Sequence, residues 1–231
     1  MTSSGASGST GGGQAGRSGA GALPSGPELP GARGLPRGDE LLSGYERALD
    51  LFEGVVAAVP PDGWDAPTPC AGWTARQVAG HVTGGQYMIR ALATGTPRAD
   101  VNTDPERFCP GDVLLAWRGA RKECTTALSD EALARPVPLG GLGEVPLGDF
   151  LAGYILEPLV HAWDLAVATG RPFRLDPDLV HHAFATARVI AAPMRAEGHL
   201  GAPLTAPPGA DEQTRLLSFL GRAPAGHRAG T

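Results

Sequence analysis

Three ionisable residues lie close together in an otherwise apolar part of the sequence. The segment EPLVHAWDLAVATG, residues 157–170, carries Glu157, His161 and Asp164, and its composition favours a helix. Residues four apart on a helix lie one turn apart on the same face, so Glu157 and His161 point the same way. Asp164 stays on that stripe. Because an unpaired buried carboxylate is costly, the stripe needs a compensating partner.

A histidine on a separate predicted helix could complete a metal site with this stripe. His81 shares an apolar stripe with Val78 and Val82, so it is expected to face the core. Together with Glu157 and His161 it makes a set of two histidines and one carboxylate. Three protein ligands leave a coordination position open, as in catalytic zinc sites. We therefore predict that His81, Glu157 and His161 bind a divalent metal.

Each of these residues also has a simpler interpretation. The Glu157–His161 pair could be a surface hydrogen bond, and His81 could be an ordinary core histidine. Asp164 is a candidate catalytic residue that orients a ligand histidine, or else a structural partner of a neighbouring helix. Cys70 could be a redox-sensitive thiol, a fourth ligand or a small apolar residue that packs its loop.

Hydrophobic periodicity predicts an all-α fold that would position these residues. A helix start at Thr74 is marked by a capping box with Gln77, and Asp112 is expected to cap a later helix. The bundle is expected to be built of four long helices with further helices after them. The predicted helices cover about 39–59, 74–92, 113–128, 149–169, 176–194 and 211–222.

Two details of these helices carry further expectations. The inner side of the third helix is expected to include Leu115, Ala116, Gly119 and Leu128. Pro158 follows Glu157 inside the fourth helix, where proline lacks a donor and clashes with the preceding turn. The helix is therefore expected either to kink there or to begin a new segment with Pro158 at its first position.

Composition limits the class of protein. Residues 1–38 hold 12 glycines and 4 prolines without an aromatic residue, so we expect a disordered tail before a domain over 39–224 and a loose terminus over 225–231. The tail lacks the apolar run of a signal peptide, and no apolar run is long enough to span a membrane.

The net charge of −5 argues against a general nucleic-acid binder. Three cysteines without a CxxC spacing argue against a disulfide framework. A cytoplasmic protein is expected.

The chain contains the blocks GWDAPTPCAGWTARQVAGHV and EPLVHAWDLAVATGRP. Together they resemble the DinB-like, mycothiol-dependent maleylpyruvate isomerase family of actinobacteria. The ending GHLGAPLTAPPGADEQTRLLSFLGRAP resembles one subgroup described as metal-binding proteins. The resemblance covers about residues 39–224 and implies a DinB-like four-helix bundle with extra C-terminal helices. It implies His81, Glu157 and His161 as ligands of zinc, or alternatively of nickel or manganese.

The resemblance also implies an activity. Relatives use a low-molecular-weight thiol, mycothiol in actinobacteria, to isomerise maleylpyruvate or to attack electrophiles. We expect the open metal position to receive water or the mycothiol sulfur, with a small-molecule electrophile as the second reactant. A metal-dependent hydrolase and a non-catalytic metal- or ligand-binding module are the alternatives. No nucleic-acid or membrane partner is expected, and the protein is expected to be a monomer or homodimer.

Overall fold

The computed structural model of the chain describes residues 38–98, 100–139 and 143–223. The predicted loose terminus and all but the last residue of the predicted tail therefore lie outside the described residues. The described part is mostly helical, which confirms the all-α fold class. The helices are α1 (Asp39–Val56), α2 (Ala75–Thr94), α3 (Val113–Ala127), α4 (Asp130–Ala134), α5 (Leu147–Tyr154), α6 (Leu156–Ala168), α7 (Pro177–Ala196) and α8 (Glu212–Phe219).

Four of these helices form the bundle. Helices α1 and α2 each pack against both α3 and α6, whereas α7 packs against α6 and α8. This is the DinB-like four-helix bundle with additional C-terminal helices. Besides the short helix α4, the structure adds a 3₁₀ turn and a hairpin that the periodicity does not predict. A 3₁₀ turn, Pro105–Phe108, lies between α2 and α3, and strands β1 (Pro136–Pro138) and β2 (Glu144–Pro146) form an antiparallel hairpin before α5.

The helix starts follow the local sequence signals. The Thr74 side chain accepts from the Gln77 N–H, and the Gln77 side chain accepts from the Thr74 N–H at 3.0 Å, which completes the predicted capping box. Asp112 caps α3 by accepting from the Leu115 N–H at 3.0 Å. Helix α2, which carries His81, therefore begins at a residue determined by the sequence around it.

The predicted inner face of α3 is confirmed only in part: Ala116 and Leu128 are partly buried against the core, whereas Leu115 and Gly119 are not. Leu115 is 71% exposed, Gly119 is also exposed, and the buried side chains recur three or four residues apart around Trp117. The Trp117 ring packs against Phe52 of α1 with centroids 4.7 Å apart. Burying this large aromatic determines how the helix is rotated, because it removes more apolar surface from water than Leu115 would. The buried residues of α3 are Val113, Trp117, Ala120 and Cys124.

The predicted fourth helix is divided at Ile155. Since Pro158 has no N–H, the carbonyl of Tyr154 lacks its usual helical donor. Helix α5 ends at Tyr154 and α6 begins at Leu156, yet Ile155 keeps helical angles of φ −51° and ψ −31°. The helical backbone is therefore interrupted at Ile155, about one turn before Pro158, and continues at Leu156. The alternative in which a new helix begins at Pro158 is wrong, because α6 starts two residues earlier.

The α5–α6 stretch is the most apolar helical part of the described chain. By length and composition alone, Leu147–Ala168 could cross a membrane, but 72% of its most apolar window is buried inside the structure. A core helix of a bundle has the same composition as a membrane span. The burial therefore favours a core role for this stretch.

Glycines of α2 allow other elements to approach its backbone closely. A Cβ at Gly80 would lie 2.2 Å from the carbonyl oxygen of Pro105, and one at Gly85 would lie 1.7 Å from the hydroxyl of Tyr154. The space beside His81 that these glycines provide is therefore filled by the 3₁₀ turn and by α5. In this way the 3₁₀ turn and α5 are both held close to the backbone of α2.

We predict opposite effects of one substitution at two helical glycines. Gly80→Ala should lower the free energy of unfolding by about 1–3 kcal/mol, because the new methyl group meets backbone that cannot move aside. Gly119→Ala on α3, where a Cβ meets nothing within 4 Å, should raise it by up to about 1 kcal/mol. Urea denaturation followed by circular dichroism measures both. A Gly80→Ala protein as stable as the wild type would contradict the close approach of Pro105.

Candidate metal centre

The three predicted ligands converge across α2 and α6. Nε2 of His81 lies 3.2 Å from Oε2 of Glu157, and Nε2 of His161 lies 3.3 Å from the same oxygen. All three ligand atoms lie within 4.8 Å of one another. The two imidazole rings meet edge to face, with centroids 5.2 Å apart. The structure therefore brings together the residues that spacing and resemblance single out.

The site is formed where the face of α2 that carries His81 meets the face of α6 that carries Glu157 and His161. Glu157 and His161 stand one turn apart on α6, and His81 reaches them from the second turn of α2. Their side chains are largely buried, with exposed fractions of 14% for His81, 23% for Glu157 and 8% for His161. The ring of Trp73 packs against His81 with centroids 5.0 Å apart. The polar groups are thus shielded from solvent by the packing around them.

The donor set fits a divalent cation. Nδ1 of His161 faces a carboxylate oxygen of Asp164 at 2.9 Å, so this nitrogen carries the proton. In the neutral ring, the lone pair of Nε2 then faces the lone pairs of Glu157 Oε2. That contact is unfavourable unless a proton or a cation lies between the two atoms. Two imidazole nitrogens and one carboxylate oxygen are ligands that zinc, nickel and manganese accept in proteins.

Asp164 supports His161 from the side opposite Glu157. It is completely buried, and its carboxylate also accepts two N–H groups of Arg222, from Nη2 at 2.9 Å and from Nε at 3.3 Å. Asp164 thus makes both of the predicted contacts: it bonds to His161, a predicted metal ligand, and it joins α6 to the residues after α8. Asp164 does not line the neighbouring cavity and acts on the site through His161.

Arg222 is a residue that the sequence analysis missed. It follows α8, and its side chain is only 11% exposed although it carries a charge. The sequence LGR does hold a signal, because a glycine after an apolar helix often turns the chain back. The residue after such a glycine is directed toward the helix that precedes it. The partner, Asp164, lies 58 residues earlier, and no spacing rule connects the two.

The charges of the site depend on one another. Burial alone would raise the pKa of Glu157, but hydrogen bonds from His161 and His81 hold that pKa well below its usual range. Burial would lower the pKa of His161, whereas Asp164 and Glu157 raise it to about 9. For Asp164, burial raises the pKa, and the charges and hydrogen bonds of Arg222 and His161 together more than reverse this. Both carboxylates are therefore ionised at neutral pH and available to balance positive charge.

A cavity of about 1030 Å³ opens beside the ligands. Its lining includes His81, Glu157, His161 and Arg222, together with Tyr154 of α5. Burial first, and then the charge of Glu157, raise the pKa of Tyr154 well above its usual value, so its hydroxyl keeps its proton. Apolar residues form much of the remaining wall: Met88, Phe150, Leu156, Val160, Val189 and Ile190.

Cys70 lies in the wall of this cavity but outside the converging donors. The structure does not bring it into the ligand set, so it gives no support to a fourth ligand. Burial, together with the charges of Asp164 and Glu157, raises the pKa of the Cys70 thiol to about 11, although Arg222 lowers it in part. Because the thiolate is the reactive form, Cys70 is a weak nucleophile at neutral pH.

The sequence model of a family described as "Mycothiol maleylpyruvate isomerase N-terminal domain" matches residues 45–166. This range contains all three converging residues and Asp164, but not Arg222. Among curated proteins, an uncharacterized protein of Mycobacterium tuberculosis is similar to the chain in each of two strains, CDC 1551 and H37Rv. Each is 33% identical over 192 residues, which cover 78% of this chain and 97% of the relative. No solved structure matches the chain.

We predict slow alkylation of Cys70 in protein freed of metal with a chelator. Its pKa of about 11 leaves the thiol protonated at pH 7.5. Iodoacetamide should therefore modify it at least about tenfold more slowly than a free thiol with a pKa of about 8.5. The rate should keep rising with pH beyond 9. Mass spectrometry of the Cys70 peptide measures the rate, with the urea-unfolded protein as the control. A rate that levels off near pH 9 would contradict the raised pKa.

Proposed function

The chain belongs to the mycothiol maleylpyruvate isomerase N-terminal domain family, and from this membership we propose that it is a divalent-metal-dependent enzyme that uses a low-molecular-weight thiol. The family is associated with mycothiol and with metal binding. The proposed reaction is thiol transfer to a small electrophile, or a thiol-assisted isomerisation of one. Mycothiol is the proposed thiol, and zinc is the favoured metal over nickel and manganese. A cytoplasmic location is part of this proposal.

One observation carries the proposal. Two imidazole nitrogens approach a single carboxylate oxygen of Glu157, at 3.2 Å and 3.3 Å, beside a large cavity. A histidine that merely stabilised the core would not need a second histidine on the same oxygen. Metal ligands, in contrast, must converge on one point, and a substrate must be able to reach that point.

The residues of the chain have separable roles in this proposal. His81, Glu157 and His161 would hold the metal, and Asp164 would keep the His161 proton on Nδ1 so that Nε2 is free to bind. When bound, the metal would act as a Lewis acid that favours the deprotonated form of a thiol or of water. The hydroxyl of Tyr154, protonated at neutral pH, can donate a hydrogen bond to a substrate oxygen in the cavity.

The cavity supports a reaction between two molecules. Its volume of about 1030 Å³ lies at the top of the range of roughly 300–1,000 Å³ for pockets that hold one drug-sized ligand. It can therefore hold a thiol and a second small reactant together. The apolar walls suit an electrophile with an apolar body. Since Cys70 is a weak nucleophile, a thiol reaction here would use a thiol supplied from outside the chain.

The first test of this function is metal content. The purified protein should carry about one zinc, nickel or manganese ion per chain, as measured by inductively coupled plasma mass spectrometry. His161→Ala should lose most of it, because one of three ligands is removed. His181→Ala is the matched control, since that side chain is 79% exposed and lies outside the site. Negligible metal in both the wild type and His161→Ala would contradict the proposal.

The second test concerns the thiol. With mycothiol and monobromobimane, the metal-loaded protein should form the conjugate at least about tenfold faster than the uncatalysed reaction, which corresponds to about 1.4 kcal/mol of barrier. His161→Ala should abolish this gain, and His181→Ala should keep it. Metal-dependent cleavage of a test ester without any thiol effect would instead indicate a hydrolase. Bound metal with neither reaction would indicate a binding module.

A further inference from the structure

The C-terminal segment enters the metal centre through one charged side chain. The guanidinium of Arg222 faces both carboxylate oxygens of Asp164, with Nη2 at 2.9 Å from Oδ2 and Nε at 3.3 Å from Oδ1. The same Oδ2 accepts the Nδ1–H of His161 at 2.9 Å. A continuous row of hydrogen bonds therefore runs from Arg222 through Asp164 to His161, whose Nε2 lies 3.3 Å from Oε2 of Glu157.

The end of α8 directs Arg222 toward this row. Gly221 has a φ of +79°, its N–H bonds to the carbonyl of Ser218 at 2.9 Å, and the N–H of Arg222 bonds to the carbonyl of Leu217 at 2.8 Å. These two bonds form a Schellman motif, which turns the chain back over the helix. A Cβ at Gly221 would also lie 2.9 Å from the carbonyl oxygen of Ala202. Arg222 is thus held in place by the backbone, not only by its charge.

We propose that Arg222 is a positioning residue of the metal centre: it holds Asp164 so that Asp164 fixes the His161 ring with Nε2 toward Glu157. This inference rests on the proposed metal site. Arg222 also lies outside the range 45–166 that the family model matches. The centre is therefore completed by a part of the chain beyond the matched domain.

The geometry of the guanidinium explains why arginine serves here. Its planar fork can direct two N–H groups at the two oxygens of one carboxylate, which fixes the plane of that carboxylate. A fixed carboxylate plane in turn restricts rotation of the His161 ring. An ammonium group at this position would supply the charge but not the paired geometry. Lysine should therefore replace arginine only in part.

The contacts from Arg222 to His161 also couple metal binding to the docking of α8. If docking of α8 and Arg222 raises the affinity for metal, bound metal must stabilise the docking of α8 by the same free energy. Metal binding and the order of the C-terminal segment are then linked, although α8 supplies no ligand. A salt bridge with a purely structural role would stabilise the protein but would not make the order of α8 depend on metal binding.

The test is a zinc titration of the chelator-treated protein in competition with a chelating dye. Arg222→Met should raise the zinc dissociation constant about 10–100-fold, the usual effect of removing a group that supports a ligand histidine. Arg222→Lys should give a smaller increase. Arg215→Gln, which removes an exposed arginine of α8, is the matched control and should stay within about twofold of the wild type.

Measuring the unfolding of the same metal-free proteins shows which variants are folded. A change in zinc affinity caused by lost positioning can then be told apart from one caused by lost stability. An unchanged zinc dissociation constant in a folded Arg222→Met protein would overturn the inference and leave the metal site intact. If Arg222→Met does not fold, an unchanged dissociation constant in Arg222→Lys would overturn it equally. Failure of the wild type to bind zinc, nickel or manganese would overturn the proposed function itself and this inference with it.

Hydrogen exchange supplies a readout that a purely structural role would not change. Zinc should slow the exchange of the α8 amides in the wild type and in Arg215→Gln. In Arg222→Met the effect of zinc on these amides should be lost. Equal slowing in all three proteins would show that α8 responds to zinc without Arg222, and would overturn the proposed link.

Discussion

The need to balance charge inside an apolar helix bundle underlies the structure of this site. Two carboxylates, Glu157 and Asp164, lie on one buried stripe of α6, and Asp164 has no contact with solvent. Arg222 supplies one compensating charge. A second positive charge must be supplied by a metal cation bound between His81 and His161, or by a proton on one of their imidazole rings. The fold can bury α6 only because both partners are present, so packing and chemistry depend on the same residues.

The backbone around the site is shaped to bring these partners together. Glycines on α2 allow the 3₁₀ turn and the Tyr154 hydroxyl to approach that helix directly. Pro158 removes a helical donor, and the path is interrupted at Ile155, just before Glu157. A continuous ideal helix would place Tyr154 and Glu157 in a fixed relation to each other. The interruption separates α5, which carries Tyr154, from α6, which carries Glu157, and both helices pack against α1 and α2.

The part of the site that could be predicted from sequence is the part governed by local spacing. The helical repeat places Glu157 and His161 on one face, and the capping box at Thr74 marks the start of the helix that carries His81. The inner face of α3 could be predicted only in part, because two apolar stripes compete and the packing of Trp117 on Phe52 decides between them. Arg222 was missed for a related reason, since its partner is determined by the tertiary fold and not by its neighbours in sequence.

The order in which a ribosome makes the chain gives the Asp164–Arg222 pair a further meaning. Asp164 is synthesised 58 residues before the arginine that pairs with it, so the nascent chain at first carries this carboxylate without that partner. The Asp164–Arg222 pair can form only after α8 has been made, which places this contact among the last to be completed when the chain folds during its synthesis.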